Sequence, residues 1–562
     1  MRNKQIADMF YEIADLLEMQ DVEWKPRAYR RAARSIESLN EDIADVADRG
    51  ELEDIDGVGE DLAAKIREFL DTGELEYYQE LKDELPVDVE AMTAVSGLGP
   101  KRVKKLYQAL DVQDLDDLEQ AAEEGKIAEV EGFGKTMQQT ILDHIDAARR
   151  GQERMLLGTA FPLVDDLQER LGSVDALDDI TVVGSFRRRK PTVGDIDILA
   201  TSDDPEASMD AFTGLEDVDE VREHGETKSS VILAGGLQVD LRIVDRESYG
   251  AALLYFTGSK DHNVTIRTLA QQQGYKLNEY GLLQDDDRLA GATEQEVYDE
   301  LGLTFIEPEL REDTGEVEAA QDGSLPDLVA EDDIRGDLQL HTTYSDGAAS
   351  IQEMAAKAED RGYDYILVTD HGPDLQIAGG LSEDEFEEQR EEIEQINRTG
   401  ETDVTVLHGV EANITEDGLD ISAERCREFD MVVAAMHNRV DDPTDALVTA
   451  LEDYPVNILA HPRNRKINER EPLDLDLDRV MEAAAADNVA IEINAQPQRL
   501  DLDWRNVKRY RDQVDYVVST DAHSTEEMDH MHLGVAQARR GWCEPGNILN
   551  TLPLDELREE LG

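Results

Sequence analysis

The spacing of apolar residues changes twice along this chain. Over residues 6–19 (IADMFYEIADLLEM) they return every three or four positions with little strand character, which predicts an amphipathic helix. The same period runs through the first 150 residues and predicts a small helical domain over 1–85 and a second helical region over 86–150. Three interruptions share the pattern apolar-x-Gly-apolar-Gly: IDGVG at 55–59, VSGLGP at 95–100 and VEGFG at 130–134, each followed by a helix-like segment. Such a repeat predicts one supersecondary unit used three times. Near residue 195 the period falls to two. In GDIDIL (194–199) and QVDLRIV (238–244), apolar side chains alternate with acidic or polar ones, predicting half-buried strands. Residues 307–333 carry proline, glycine and acid without a sustained period and predict a domain junction. Beyond 340, apolar runs lead into histidines: ILVTDH at His371, TVLHGVE through His408, MVVAAMH at His437, NILAH at His461 and YVVSTDAH at His523. These runs alternate with helical stretches such as DRVMEAAAADN, so the expected fold here is a β/α barrel within a multidomain α/β chain.

Charge sets the setting. The chain carries 130 acidic against 55 basic residues, a formal charge of −75 over 562 residues. Self-repulsion of that size opposes compaction in dilute buffer, whereas at 1 M salt the Debye length is only about 3 Å. The expected surroundings are a cytoplasm of very high salt, as in halophilic archaea. The acid is spread along the chain and hydrophobic content is 40%, which excludes a disordered acidic tail as the cause. There is no secretory leader pattern and no apolar run near 18 residues, so a cytoplasmic protein without a membrane partner is expected. The two cysteines, Cys426 and Cys543, form no disulfide framework or thiolate zinc pattern. Against this background the basic clusters stand out: Arg27, Arg30, Arg31 and Arg34; Lys101, Lys104 and Lys105; and Arg187, Arg188, Arg189 and Lys190.

The chemistry is carried by three sets of residues. Asp195 and Asp197, two apart on a strand, share one face, and Asp240 can add a third carboxylate from a neighbouring strand. Three carboxylates without Cys or His suit Mg²⁺ or Mn²⁺, and two such ions ~4 Å apart hold the attacking and leaving oxygens of a phosphoryl displacement. Gly184 and Ser185 offer a tight turn, and the cations at 187–190 supply charge for a polyphosphate. In the repeat, Gly57, Gly59, Gly97, Gly99, Gly132 and Gly134 permit turns whose amides face outward at a helix start, a phosphate cradle beside Lys101, Lys104 and Lys105. This helix-hairpin-helix pattern binds DNA backbones without reading sequence. The strand-end histidines, with Asp346, Glu411 and Asp521 alongside, would converge on one barrel face and suit Zn²⁺ or Mn²⁺.

The stretch GSFRRRKPTVGDIDIL (184–199), with Asp240 and YFTGSKDHNVTIR at 255–267, resembles the nucleotidyltransferase core of family X DNA polymerases, the group that includes polymerase beta. The resemblance implies a palm over 151–245, a fingers-like nucleotide-binding subdomain over 246–318 and a linker over 319–333. It makes Asp195, Asp197 and Asp240 the catalytic metal ligands and gives Ser185 and Arg188, beside Gly184, the nucleotide's β and γ phosphates. Tyr255, Phe256 and Gly258 then line the sugar, and Asn263 and Arg267 touch the minor-groove edge of the nascent pair. Gln238 departs from the arginine that the polymerase beta branch carries. Lys65 matches a Schiff-base lysine of the 5′-deoxyribose phosphate lyase, with Lys25 and Tyr29 as 5′-phosphate contacts. Asp61 stands where polymerase beta has lysine, and a carboxylate there favours the unreactive ammonium.

DLQLHTTYSDG, TDH, HGVE, MH, AHP and TDAH resemble the PHP superfamily of metal-dependent phosphoesterases, built on a distorted seven-stranded barrel. The implied ligands, within 334–562, are His341, Asp346, His371, Glu411, His437, His461, Asp521 and His523. The usual His-x-His of the first motif is Gln339-x-His341 here, which removes one ligand. His408, His530 and His532 are expected to be structural. The whole is similar to the bacterial and archaeal family X polymerases with a C-terminal PHP domain. That implies a monomer filling short gaps in gapped or nicked DNA with deoxynucleoside triphosphates, and a PHP domain trimming or cleaning 3′ ends. A rival reading makes the hydrolase the main activity, with the preceding region a DNA-targeting arm, and a third makes the chain a non-catalytic scaffold. The intact aspartate set argues against the rival, and the two metal sets together argue against the scaffold.

Overall fold

The computed structural model describes residues 2–19, 22, 25–37, 43–55, 57–72, 75–84, 87–95, 98–130, 132–135, 137–142, 145, 154–285, 287–400 and 402–561. Among these, no helix is long and apolar enough to cross a membrane. The amino-terminal helices, among them Arg2–Met19, Lys25–Glu37, Glu60–Thr72 and Pro100–Leu110, enclose one core running from Ile6, Phe10 and Ile13 through Ala32 and Ile66 to Val103, Leu118 and Ile141. The two helical regions expected from the sequence thus share a core.

The three glycine repeats close in the same way. The amide of Val58 donates to Ile55 O (3.0 Å), that of Leu98 to Val95 O (2.9 Å) and that of Phe133 to Val130 O (3.0 Å). Each next helix then opens on a bond to the last glycine: Ala63 to Gly59 O, Val103 to Gly99 O and Gln138 to Gly134 O. Gly57 has φ +84° and Gly132 φ +91°, backbone that residues with a Cβ rarely adopt. Gly97 lies outside the described residues.

The palm is a five-stranded sheet in the order Leu177–Val182, Asp195–Ser202, Gln238–Ile243, Lys228–Leu233 and Val218–His224. Only its central pair is parallel, with Asp195 opposite Gln238 and Asp197 opposite Asp240. Helix Leu157–Gly172 covers one face through Ala160, Val164 and Leu167. A second lobe follows, with helices Tyr249–Thr257 and Lys260–Gln272, a three-stranded antiparallel sheet and helix Glu294–Glu300.

The carboxy-terminal part is a ring of seven parallel strands: Gly336–Leu340, Tyr365–Val368, Thr405–Thr415, Met431–Ala435, Ile458–Leu459, Ala490–Asn494 and Tyr516–Ser519. A parallel bridge from Leu340 to Ala522, with His341 N donating to Ala522 O at 2.9 Å, brings the last strand back to the first. The expected distorted (β/α)₇ architecture is what is found. The segment expected as a linker is packed at both ends: Ala320 sits in the second lobe's core and Val329 in the barrel's. Barrel residues also enter the other cores, Leu500 and Leu533 that of the palm and Trp542 that of the second lobe.

Candidate active sites

The first site forms where the two parallel palm strands begin. Strand alternation turns Ile196, Ile198 and Val239 into the core and leaves Asp195, Asp197 and Asp240 on the opposite face. Asp240 accepts from Ser230 Oγ (2.6 Å) and Gln238 Nε2 (3.0 Å), and Lys228 Nζ lies 3.7 Å from its second oxygen. The residue that replaces the polymerase beta arginine therefore holds the third carboxylate directly. Burial, then the charges of Asp195 and Asp240, push Asp197 up to about 7. Such an under-compensated trio is the donor set a divalent cation fits. Gly184 (φ +63°) turns the chain against it; a Cβ there would lie 2.8 Å from Asp197 Oδ2. The neighbouring Ser185 Oγ is buried without a partner among the described residues.

The basic turn is divided between tasks, which corrects the expectation that all four cations serve a polyphosphate. Arg187 is committed to Glu294 (2.6 Å) and Thr257 Oγ1 (2.6 Å), and Glu294 is shared with the fully buried Arg311. Arg189 lies over the Phe161 ring at 4.6 Å. Arg188 is anchored by Glu312 through Nε (3.1 Å) and by the Thr257 carbonyl through Nη1. Next to it, Tyr255 and Phe256 pack edge to face at 5.0 Å, with Arg242 over the Phe256 ring. Asn263 Nδ2 donates to Tyr255 O (2.7 Å), and the Arg267 Nε is buried without a partner among the described residues. Gly258 borders Arg188: a Cβ there would meet Nη1 at 3.0 Å.

The second site lies at the carboxyl ends of the barrel strands. His341, Asp346, His371 and His523 each bring one ligand atom within 4.8 Å of the others, and His371, Glu411 and His437 form a second such group. His461 Nε2 reaches Glu411 Oε1 at 3.2 Å, and Asp521 Oδ1 reaches His341 Nε2 at 3.2 Å. The eight residues thus form one continuous cluster. Burial opposes charge on His371, but Glu411 and Asp346 outweigh it and push the imidazole up to about 10. His523 rises to about 9 against burial, through Asp346 and Asp521. Both ring nitrogens of His341 and one each of His371, His437 and His461 are buried without a hydrogen bond among the described residues, as is Glu411 Oε2. Imidazole nitrogens and carboxylate oxygens crowded together without hydrogen-bond geometry, as His371 Nδ1 and Glu411 Oε2 are at 2.9 Å, form a donor set that bound cations fit. His461 (φ +28°) and Asp521 (φ +52°) adopt left-handed backbone, a strain of about 1–3 kcal/mol each that concentrates at functional sites.

Gln339 points its amide at Asp521 Oδ1 (3.5 Å), and its own Oε1 has no partner among the described residues. His408 packs between Phe386 and Phe429, and His532 lies against Phe161. A supporting layer went unread in the sequence. Glu492 accepts from His461 N (2.8 Å) and Asn494 Nδ2 (3.1 Å), and Asn494 also donates to Asp521 Oδ2 (3.1 Å). Asp370 accepts from Thr342 N, Thr342 Oγ1 and Gln389 Nε2. The available signal was acid inside an apolar run, AIEIN at 490–494, the same one that marks Asp197.

In the helical region Lys105 Nζ lies 3.3 Å from where a Gly132 Cβ would be, joining the second repeat's helix to the third hairpin. Lys101 and Lys105 are exposed and Lys104 half-buried. Lys65 pairs with Asp61 (2.7 Å) and lies over the Tyr77 ring at 5.0 Å. Tyr29 is buried with its ring edge-on to Phe10, and Lys25 lies 6.0 Å from the Tyr77 ring.

A three-carboxylate palm followed by a histidine-lined seven-strand barrel defines a nucleotidyltransferase joined to a metal-dependent phosphoesterase. Residues 163–239 match the family model for the DNA polymerase beta palm and 252–312 that for its thumb, the lobe described above as fingers-like. Residues 1–75 match a helix-hairpin-helix domain, 89–147 a SAM-like helix-hairpin-helix tandem and 337–496 the PHP domain. The chain is 34% identical over 568 residues to the DNA polymerase/3′–5′ exonuclease PolX of Bacillus subtilis, an alignment covering 99% of each. It is 25% identical over 343 residues to DNA polymerase lambda of Rattus norvegicus, covering 55% of this chain and 56% of that one. A probable phosphatase of Shewanella loihica is 34% identical over 167 residues, 28% of this chain and 62% of its own. The chain belongs to the family X DNA polymerases that carry a PHP domain.

Proposed function

We propose that this protein fills short gaps in DNA during repair by two-metal nucleotidyl transfer, and that its barrel processes 3′ ends as a 3′–5′ exonuclease or 3′-end phosphoesterase. The observation that carries the reading is the parallel register that sets Asp197 opposite Asp240, with Asp195 two residues before it. Mg²⁺ or Mn²⁺ held by these three aspartates, and Zn²⁺ or Mn²⁺ held by the eight barrel ligands, would supply Lewis-acid stabilisation of phosphate charge. The remaining work falls to the chain's own groups. Ser185 and Arg188 bind the triphosphate, Tyr255, Phe256 and Gly258 shape the sugar pocket, and Asn263 and Arg267 face the nascent pair. The hairpin glycines, with Lys101, Lys104 and Lys105, hold the DNA backbone through amides and charge. Lys65 is the Schiff-base candidate; its bond to Asp61 must open before the amine can react. The protein works as a monomer in a cytoplasm of high KCl, on gapped or nicked DNA and deoxynucleoside triphosphates.

The test is gapped, end-labelled DNA incubated with Mn²⁺ in molar KCl, with and without nucleotides. Extension with nucleotides and shortening without them are expected. Shortening alone would leave a hydrolase on a DNA-targeting arm, and neither would leave a scaffold.

A further inference from the structure

One charged cluster joins three parts of the fold. Glu312 of the second lobe offers a single oxygen, Oε1, to Arg188 Nε of the palm (3.1 Å) and to Arg540 Nη2 of the barrel (3.1 Å). Arg540 Nη1 also donates to the Arg188 carbonyl, and its guanidinium lies 4.9 Å from the Trp504 ring centroid. All three side chains are buried or nearly so. Burial opposes charge on Glu312, but Arg540, Arg188 and Lys190 hold it ionised.

We propose that Arg540 and Glu312 are positioning residues of the polymerase nucleotide site, so that the PHP domain completes the binding of the nucleoside triphosphate. The inference rests on the assignment of Arg188 to the triphosphate. Glu312 and the Thr257 carbonyl take the Nε and Nη1 edges of Arg188, and Nη2 has no partner among the described residues. A guanidinium fixed on two edges is pre-organised for an anion on the third. A lone Glu312 would also cancel the Arg188 charge. Arg540 offsets that together with Lys190, so that three cations and one carboxylate leave net positive charge for the phosphates. The cation comes from Met531–Arg540, a helix whose Leu533 is already in the palm core, so its placement is set by packing and needs no motion.

Single-nucleotide insertion on gapped DNA in molar KCl provides the test, with degradation of single-stranded 3′ ends measured in parallel. Arg540→Gln should raise the KM for nucleotide about tenfold with kcat within about twofold, the pattern of lost uniform binding, while 3′-end degradation continues at the wild-type rate. Arg540→Gln combined with Glu312→Gln restores the charge sum with neutral isosteres and should return the KM to within about threefold of wild type. Arg540→Lys, with charge but no fork, should fall between. A raised KM in Arg188→Gln with an unchanged one in Arg540→Gln would overturn the proposal alone. Unchanged values in both would overturn the nucleotide-site assignment with it. Joint loss of polymerisation and degradation in Arg540→Gln, unrescued by the double variant, would make the cluster purely structural and overturn it as well.

Discussion

Phe161 of the palm and His532 of the barrel pack edge to face, ring centroids 4.5 Å apart and planes at 79°. Phe186 lies 4.9 Å from the same Phe161 ring and the Arg189 guanidinium 4.6 Å from it. Aromatic pairs of this geometry add about 0.5–1.5 kcal/mol to their burial. Phe161→Ala should therefore destabilise the protein by about 2 kcal/mol, measured by denaturant unfolding in molar KCl. An unchanged unfolding curve would show that the junction does not depend on this contact.

Asp240→Ala should abolish nucleotide addition, by at least about a hundredfold, because it removes the carboxylate that stands opposite Asp197. Processing of 3′ ends should persist, since those ligands belong to another domain. Extension at the wild-type rate would remove the polymerase assignment.

His371→Ala or Asp521→Ala should have the opposite effect. His371 touches Asp346 and Glu411, and Asp521 touches His341 and the supporting Asn494; loss of either should stop 3′-end degradation while extension continues. A variant that still degrades 3′ ends normally would place the nuclease elsewhere.

His408 gives a prediction about acid stability. Burial, then Arg390 and Arg425, lower its pKa to about 3, against about 6.5 in an unfolded chain. The unfolded chain binds this proton first, so the folded state loses about 1.4 kcal/mol per pH unit between roughly 6.5 and 3. Replacing the ring by leucine removes that slope. The stability of His408→Leu relative to wild type should rise as pH falls from 7 to 5, and a constant difference would refute the argument.

Folding and activity should need high KCl. At low salt a chain of charge −75 is unscreened, and both compaction and approach to a polyanion suffer. Few phosphate contacts through lysine should make the fall of DNA affinity with salt shallow. Affinity and folding followed together from low to molar KCl decide this. A protein folded at low salt whose binding falls steeply would show that its surface charge has another role.

What the sequence made legible was local. Asp195 and Asp197 carry their strand face in their spacing, the glycine repeats carry their turns, and the histidines close strands whose ends a barrel must gather. The partners of the basic turn were not legible. Arg187 meets Glu294 across 107 residues, and Arg540 meets the Arg188 carbonyl across 352; such pairs follow from how lobes dock, and no periodicity records that. Glu492 and Asn494 were hidden for a related reason. They act through His461 and Asp521, so their importance depends on neighbours that only the closed ring of strands brings close.

Leu500 and Leu533 have a practical meaning for anyone dissecting the enzyme. They come from the barrel yet lie with Leu157, Val164 and Leu237 in the palm's core. A chain stopped at residue 333 would leave that core with apolar surface open to water, the kind of patch that draws molecules into aggregates. Deletion is thus a poor way to separate synthesis from degradation in this protein. Single substitutions at either metal cluster leave the shared packing whole.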